Sequence, residues 1–271
     1  MDARRNYWAE QMDEAFAFME TMRHYPLEES GEPFVSLHEA TEGIEVVFSE
    51  TLLNRCFPRI FSIRAGLIQS FRHAARAMNE RGWVLKVEDA YRSPEMQRAQ
   101  SHDPRIFDLI LQKTVWELNG AVPSPDFLLR RFTALVATRC RIGTHISGSA
   151  IDLSVLDRST GKEMDRGGAY LEISERTPMA SPFLNEEQRR NREAVSALMR
   201  QFGWIAYPYE FWHFSSGDSY AEHLTHSRRV ARYGPVRHEG TTVVPIPEPE
   251  SDALLEPLAF YRDKIASIVG C

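Results

Sequence analysis

A mixed α+β fold, with a small, mainly antiparallel central sheet flanked by helices, is the architecture this sequence predicts. Two observations carry it. Several long segments repeat apolar residues at helical spacing, and three short apolar runs, near Val84, Leu153 and Trp204, are bounded by turn residues and read as strands. A third observation places the chemistry: just beyond or within these runs come Arg92, Asp152 and His213, so the strand ends converge charged side chains.

Taken in order, residues 2–23 repeat Tyr7, Trp8, Met12, Phe16 and Met19 at helical spacing, which predicts a docking helix ended by Pro26. Residues 33–50 alternate loosely and predict short strands around Phe34, Val35, Leu37, Ile44, Val46 and Phe48. Residues 62–80 read as a helix with Leu67, Ile68, Phe71, Ala74, Ala75 and Met78 on one side, closed by Gly82. A strand through Val84, Leu85 and Val87 then breaks at Ser93-Pro94, and Pro94 opens a helix with Glu95 in its first turn. Residues 94–119 and 126–138 read as two helices joined by a turn containing Gly120, Pro123, Ser124 and Pro125. The apolar run Leu153-Ser154-Val155-Leu156 follows as a buried strand. Residues 157–182 are polar and glycine-containing, without period, and are expected to form a loop over the site. A helix over 186–202 closes at Gly203, and residues 204–207 form a short strand leading into Glu210. Residues 220–233 are basic and partly helical. Residues 1–239 are thus expected to be one domain with an N-terminal helical extension. Residues 240–271 are expected to add a Pro-rich extended arm, with Pro245, Pro247 and Pro249, and a short helix over 254–269.

The bulk numbers narrow the function classes. The 271 residues are 43% hydrophobic and 26% charged, with a formal charge of -6, the composition of an ordinary soluble globular chain. Arg189-Arg190 and Arg228-Arg229 are short and mixed with acids, so a nucleic-acid partner is not expected. No run approaches the length of a membrane span, and the charged start Met1-Asp2-Ala3-Arg4-Arg5 does not read as an export signal. The three cysteines, Cys56, Cys140 and Cys271, have no metal-binding spacing and are expected to be free thiols in the cytoplasm, Cys140 as a small core residue.

The informative stretch is Gly143-Thr144-His145-Ile146-Ser147-Gly148-Ser149-Ala150-Ile151-Asp152. His145 and Asp152 stand seven residues apart, and Gly148 lets the backbone fold so that both side chains reach one spot. Imidazole and carboxylate are both zinc ligands. A lone His near a lone Asp is usually no more than a hydrogen-bonded pair. Glu210-Phe211-Trp212-His213 adds a second imidazole and a spare carboxylate. Together they make the inventory of a hydrolytic metal site with one position left for water.

With Asp89-Ala90-Tyr91-Arg92 added, the chain resembles the zinc D-alanyl-D-alanine dipeptidases, a family related to the zinc D,D-carboxypeptidases, over residues 61–234. The resemblance implies one Zn2+ per chain held by His145, Asp152 and His213, with Glu210 as catalytic base and Arg92 steadying the oxyanion. Tyr91, Glu172 and Trp212 are candidate substrate contacts, and Trp212 is expected to pack under the site and fix the ring of His213. Ser174-Glu175-Arg176-Thr177 is similar to the family's acidic-to-Arg stretch. Two positions depart from the family's pattern. Gly143 stands where it often has Ser. Tyr170-Leu171 stands where it has a Phe-Asp pair whose Asp holds the substrate's amino group. Either Glu172 replaces that carboxylate or the substrate lacks an ammonium there. The expected activity is zinc-dependent hydrolysis of a short peptide of the D-alanyl-D-alanine type. The alternatives are a D,D-carboxypeptidase or amidase acting on a larger cell-wall fragment, and a metal-containing binding protein without turnover.

Overall fold

The sheet is built so that one face is core and the other carries chemistry. A computed structural model describes residues 2–239 and 242–269. In chain order its elements are α1 (Ala3–Arg23), β1 (Phe34–Ser36), α2 (Leu37–Ala40), β2 (Val46–Phe48), β3 (Ser62–Arg64), α3 (Ile68–Glu80), β4 (Trp83–Asp89), α4 (Pro94–Gln100), α5 (Pro104–Glu117) and α6 (Pro125–Leu135). Then follow β5 (Ala150–Asp157), α7 (Glu186–Gln201), β6 (Ile205–Ala206), β7 (His213–Ser215), α8 (Ser219–Leu224), β8 (Val236–Glu239), β9 (Thr242–Pro245) and α9 (Leu258–Val269).

The central sheet has the order β2-β4-β5-β7-β6. The β2–β4 pair is parallel and the other pairs are antiparallel, so the sheet is mixed but mainly antiparallel, as predicted. Side chains alternate across it. Leu85, Val87, Ile151, Leu153, Val155 and Phe214 turn to one face and pack with Phe71, Ala74 and Met78 of α3 and Val195, Leu198 and Met199 of α7. The opposite face presents Asp152, Ser154, His213 and Ser215. The register sets Asp89, Asp152 and His213 side by side on three neighbouring strands. Asp89 joins that row because β4 carries an irregularity between Val87 and Asp89: Val87 pairs with Leu153 while Asp89 pairs with Asp152. One extra residue, Glu88, moves Asp89 from the core face to the polar face, a common use of a bulge beside a site.

Several elements differ from expectation. The helix over 62–80 begins only at Ile68, since Ser62–Arg64 pairs with β1 as a strand. The helix over 94–119 is two, because Pro104 cannot continue α4 and instead opens α5 behind the Asp103 cap. The stripe on α1 uses Ala15, Phe18 and Met22 with Trp8, Met12 and Met19, and leaves Phe16 half-buried. His213 does not lie at the end of the Trp204 segment: β6 is the sheet edge, and the chain turns back through residues 207–212 to enter β7 between β6 and β5. The last helix starts after Pro257, later than its apolar pattern suggests.

Beyond the sheet, α1 packs through Trp8, Met12 and Ala15 on Ala134 of α6. Tyr261 and Ile265 of α9 join Phe107, Ile110, Leu128 and Phe132 of α5 and α6. In the C-terminal stretch, β9 pairs with β8; Gly240, where the arm was expected to begin, and Cys271 lie outside the described residues. Cys56 and Cys140 are free, and burial pushes the Cys140 thiol up to about 11, which suits a core residue and not a nucleophile. No helix among the described residues is long and apolar enough to cross a membrane.

Candidate metal centre and active site

The loop leading into β5 is anchored before it reaches the site. Gly148 has φ +70, a conformation that favours glycine, and a Cβ there would run into the Phe34 ring. Fully buried Arg64 donates to the Ser147 carbonyl (2.6 Å) and pairs with Glu29 (2.8 Å), tying the loop to the N-terminal segment. The turn this produces holds His145 over Asp152.

Each ligand atom is oriented by a second contact. His145 Nδ1 donates to the Ala90 carbonyl (2.5 Å), which leaves the ring's lone pair on Nε2. His213 Nε2 lies 3.0 Å from Thr144 Oγ1; donating there leaves the lone pair on Nδ1. Those two lone pairs and Asp152 Oδ1 face one another: His145 Nε2 to Asp152 Oδ1 is 3.2 Å, His213 Nδ1 to Asp152 Oδ1 is 3.0 Å, and the two nitrogens are 3.2 Å apart. All three residues are buried. Three acceptor atoms held this close and out of water form a group that can hold a cation. Zinc bonds of about 2.0–2.1 Å at tetrahedral angles separate ligand atoms by about 3.3 Å, which these spacings fit.

The charge state agrees. Burial alone would push Asp152 up, but His145, His213 and Arg92 outweigh it and hold the carboxyl well below the usual range. Burial lowers His213, and His145 adds to this against the pull of Asp152, so the ring is biased to the neutral, ligating form. Asp152 Oδ2, the oxygen turned away from the rings, accepts from Arg92 Nη2 (2.9 Å) and from the Tyr170 hydroxyl (3.0 Å). Arg92 is itself fixed by Asp89, whose Oδ2 accepts from Nε at 2.6 Å. Its Nη1 has only long contacts with Gln97 (3.3 Å) and Gln100 (3.4 Å).

These groups form the floor of a cavity of about 350 Å³ that also contains Glu210 and Trp212. Burial and the negative charge of Asp152 push the Glu210 carboxyl well above its usual value, against the pull of Arg92. The expected 157–182 loop does cover one side, irregular beyond Asp157 at the end of β5, and is pinned by buried arginines. Arg166 donates to the Leu153 and Phe211 carbonyls, and Arg192 to those of Arg166, Pro178 and Arg176.

The structure therefore brings His145, Asp152, His213, Arg92, Glu210 and Trp212 together, and leaves Tyr91 and Glu172 out. The Tyr91 hydroxyl donates to the Val236 carbonyl and accepts from His238 N, facing away from the cavity. Glu172 is taken up by Ser174 and Arg176, so it does not supply a carboxylate to the cavity. Trp212 packs against Phe211 and Tyr170, and the His213 ring is flanked instead by Tyr207 and Tyr220. Tyr170, Thr144 and Asp89 were missed as site residues. Asp89 and Thr144 had a signal in their adjacency to motif residues, and Tyr170 had one in its place at the family's Phe-Asp pair.

A family model described as D-ala-D-ala dipeptidase, of the M15 peptidases, matches residues 114–230. A D-alanyl-D-alanine dipeptidase of Synechocystis sp. is 31% identical over 240 residues, covering 78% of this chain and 94% of that protein. This chain belongs to the D-alanyl-D-alanine dipeptidase family. The Escherichia coli D-alanyl-D-alanine dipeptidase is 34% identical over 134 residues, 49% of this chain and 55% of its own. Among solved structures, a vancomycin-resistance D,D-pentapeptidase, VanY, in complex with Zn(II) aligns with a TM-score of 0.39 at 15% identity, over 74% of this chain and 88% of that one. Like the rest of this zinc-dependent dipeptidase family, the chain is a zinc metallopeptidase, and among the described residues the His145, Asp152 and His213 cluster can bind one metal.

Proposed function

We propose that this zinc peptidase hydrolyses short peptides of the D-alanyl-D-alanine type, with His145, Asp152 and His213 as metal ligands and Glu210 as general base. The observation that carries the reading is the convergence of three lone-pair atoms within 3.2 Å of one another, beside a carboxyl in the same cavity whose proton affinity is raised. Zinc bound there supplies a water of lowered pKa and polarises the scissile carbonyl.

The chain's own residues do the rest. Glu210 removes a proton from the attacking water and returns it to the leaving amine; its proton affinity, raised by burial and Asp152, favours taking up that proton. Arg92 has two duties. Nη2 holds Asp152 Oδ2, and Nη1, bound only by long contacts, keeps donor capacity for the developing oxyanion. The Ala90 carbonyl and Thr144 hydroxyl keep both imidazoles in the tautomers that ligation needs. We place the enzyme in the cytoplasm, a reading supported by the unpaired Cys56 and Cys140.

The test is hydrolysis of D-alanyl-D-alanine by zinc-loaded protein. Glu210→Ala is expected to keep zinc and lose hydrolysis, whereas His145→Ala is expected to lose zinc. Full activity in the first variant, or a full equivalent of zinc in the second, would overturn the assignment. Cleavage confined to longer D,D-peptides would point to a carboxypeptidase instead.

A further inference from the structure

The cavity is polar at its floor and apolar at its mouth, and its charges are unequally committed. Acids lining it are Asp103, Asp152 and Glu210. Asp103 is occupied on both oxygens by Arg105 and also accepts from the Arg105 backbone. Asp152 is held by Arg92 and Tyr170, and Glu210 is the base. No lining carboxylate is left for a substrate ammonium.

A cationic donor is left. Arg59 lines the cavity with its side chain only 6% exposed. Its Nε donates to the Thr51 carbonyl (2.8 Å), and Nη1 lies 3.2 Å from Asp89 without a hydrogen-bond partner among the described residues. Asp89 ion-pairs with this nitrogen outside hydrogen-bond geometry and is shared with Arg92, so a guanidinium lining the cavity keeps a proton to give to an anionic oxygen of the substrate.

The mouth is apolar in an unusual way. Of the large hydrophobic side chains that are exposed, Leu52, Leu109 and Leu171 all line this cavity. Leu171 sits at φ +65, a left-handed conformation that a leucine adopts only under constraint. Strain of this kind is concentrated at functional sites. Here it turns an aliphatic side chain to the mouth, beside Ile173, Leu135 and Ile106.

We propose that the enzyme grips the free carboxylate end of its substrate with Arg59 and seats a bulky apolar group on the amino side of the scissile amide against Leu109, Leu171 and Ile173. The ammonium itself is not read, so the apolar group is equally an amino-terminal side chain or an acyl cap. This rests on the peptidase reading above and narrows its substrate class.

The test is a panel of D-Ala-D-Ala, D-Leu-D-Ala, D-Phe-D-Ala, N-acetyl-D-Leu-D-Ala and D-leucyl-D-alaninamide with zinc-loaded enzyme. D-Leu-D-Ala and D-Phe-D-Ala are expected to exceed D-Ala-D-Ala in kcat/KM by at least about tenfold. Acetylation is expected to change little, and amidation to lower kcat/KM by at least about tenfold. Arg59→Met should bring the acid down to the amide. Leu171→Asn and Leu109→Asn should erase the Leu-over-Ala preference. Asn tolerates a positive φ better than Leu, so Leu171→Asn should not lower the melting temperature. Preference for D-Ala-D-Ala, loss of cleavage on acetylation, or an unchanged ratio in the leucine variants would overturn this proposal while leaving the peptidase reading intact. If no peptide is cleaved, the hydrolysis reading fails. Calorimetric binding of the same peptides to zinc-loaded Glu210→Gln protein then decides the proposal: tighter binding of the Leu and Phe peptides supports it, and equal affinities overturn it.

Discussion

Tyr170→Phe isolates one hydrogen bond at the metal centre. The Tyr170 hydroxyl donates to Asp152 Oδ2 at 3.0 Å, opposite the oxygen that faces the imidazoles. Burial, then the charges of Asp152 and Asp89, push this phenol well above its usual value, so it remains a donor throughout the working pH range. A hydrogen bond to a charged group contributes about 1.5–3 kcal/mol, equivalent to about 10- to 150-fold in an equilibrium constant. Loss of an outer partner of a metal ligand typically weakens metal binding by about 10- to 100-fold. The two routes agree, so the zinc dissociation constant should rise by about 10- to 100-fold, with little change in kcat at saturating zinc. The assay is zinc competition against a chromophoric chelator, followed by kinetics on metal-saturated enzyme. Tyr91→Phe is the control. Its hydroxyl bonds Val236 and His238 away from the cavity, so it should lower stability by about 1 kcal/mol and leave zinc affinity alone. If Tyr170→Phe left the zinc affinity at the wild-type value, Asp152 would not depend on Tyr170 and the orientation argument would be wrong.

Other outcomes follow from the same geometry. Gly148→Ala combines a positive φ with a clash against Phe34 and should destabilise by roughly 2–5 kcal/mol; chemical denaturation measures it, and zinc content should fall too because His145 and Asp152 flank the turn. Glu175 is held down to about 2: burial raises it, but Lys113, its own backbone amide and Arg4 outweigh that. With a folded value below the ordinary 4.5, its contribution is present above pH 4.5 and is lost as pH falls toward 2. Glu175→Gln should therefore be less stable than wild type at pH 6 and approach it near pH 2, as read from melting temperature across that range. Removal of zinc with a chelator should lower the melting temperature, since three buried acceptors then face one another uncompensated, and equimolar zinc should restore it.

Much of the site was legible because its chemistry is local in the chain. His145 and Asp152 are joined by one short turn whose need for a glycine is visible at Gly148, and Glu210 and His213 are three residues apart, so composition and spacing were enough to nominate them. The helices over 3–23 and 186–201 and the strands at Val84 and Leu153 were legible for the same reason: their apolar period is a property of a few consecutive residues. Proline at 104 and 257 could have placed two boundaries that the apolar pattern alone misplaced.

What tertiary structure alone decided is how those segments face one another. The path through β6 and back into β7 puts His213 beside Asp152, a pairing between residues sixty-one positions apart. The bulge before Asp89 depends on how two strands pair and so leaves no periodic trace in either. Tyr170 reaches Asp152 from a loop with no period of its own, held by carbonyl contacts to Arg166 and Arg192. Glu172, the acid nearest in sequence, turns to Ser174 and Arg176 instead. A residue's type and its neighbours in the chain determine which bonds it can make. Which bond it does make is settled by long-range packing and by the low dielectric of the interior, where each buried donor must find the acceptor the fold brings to it.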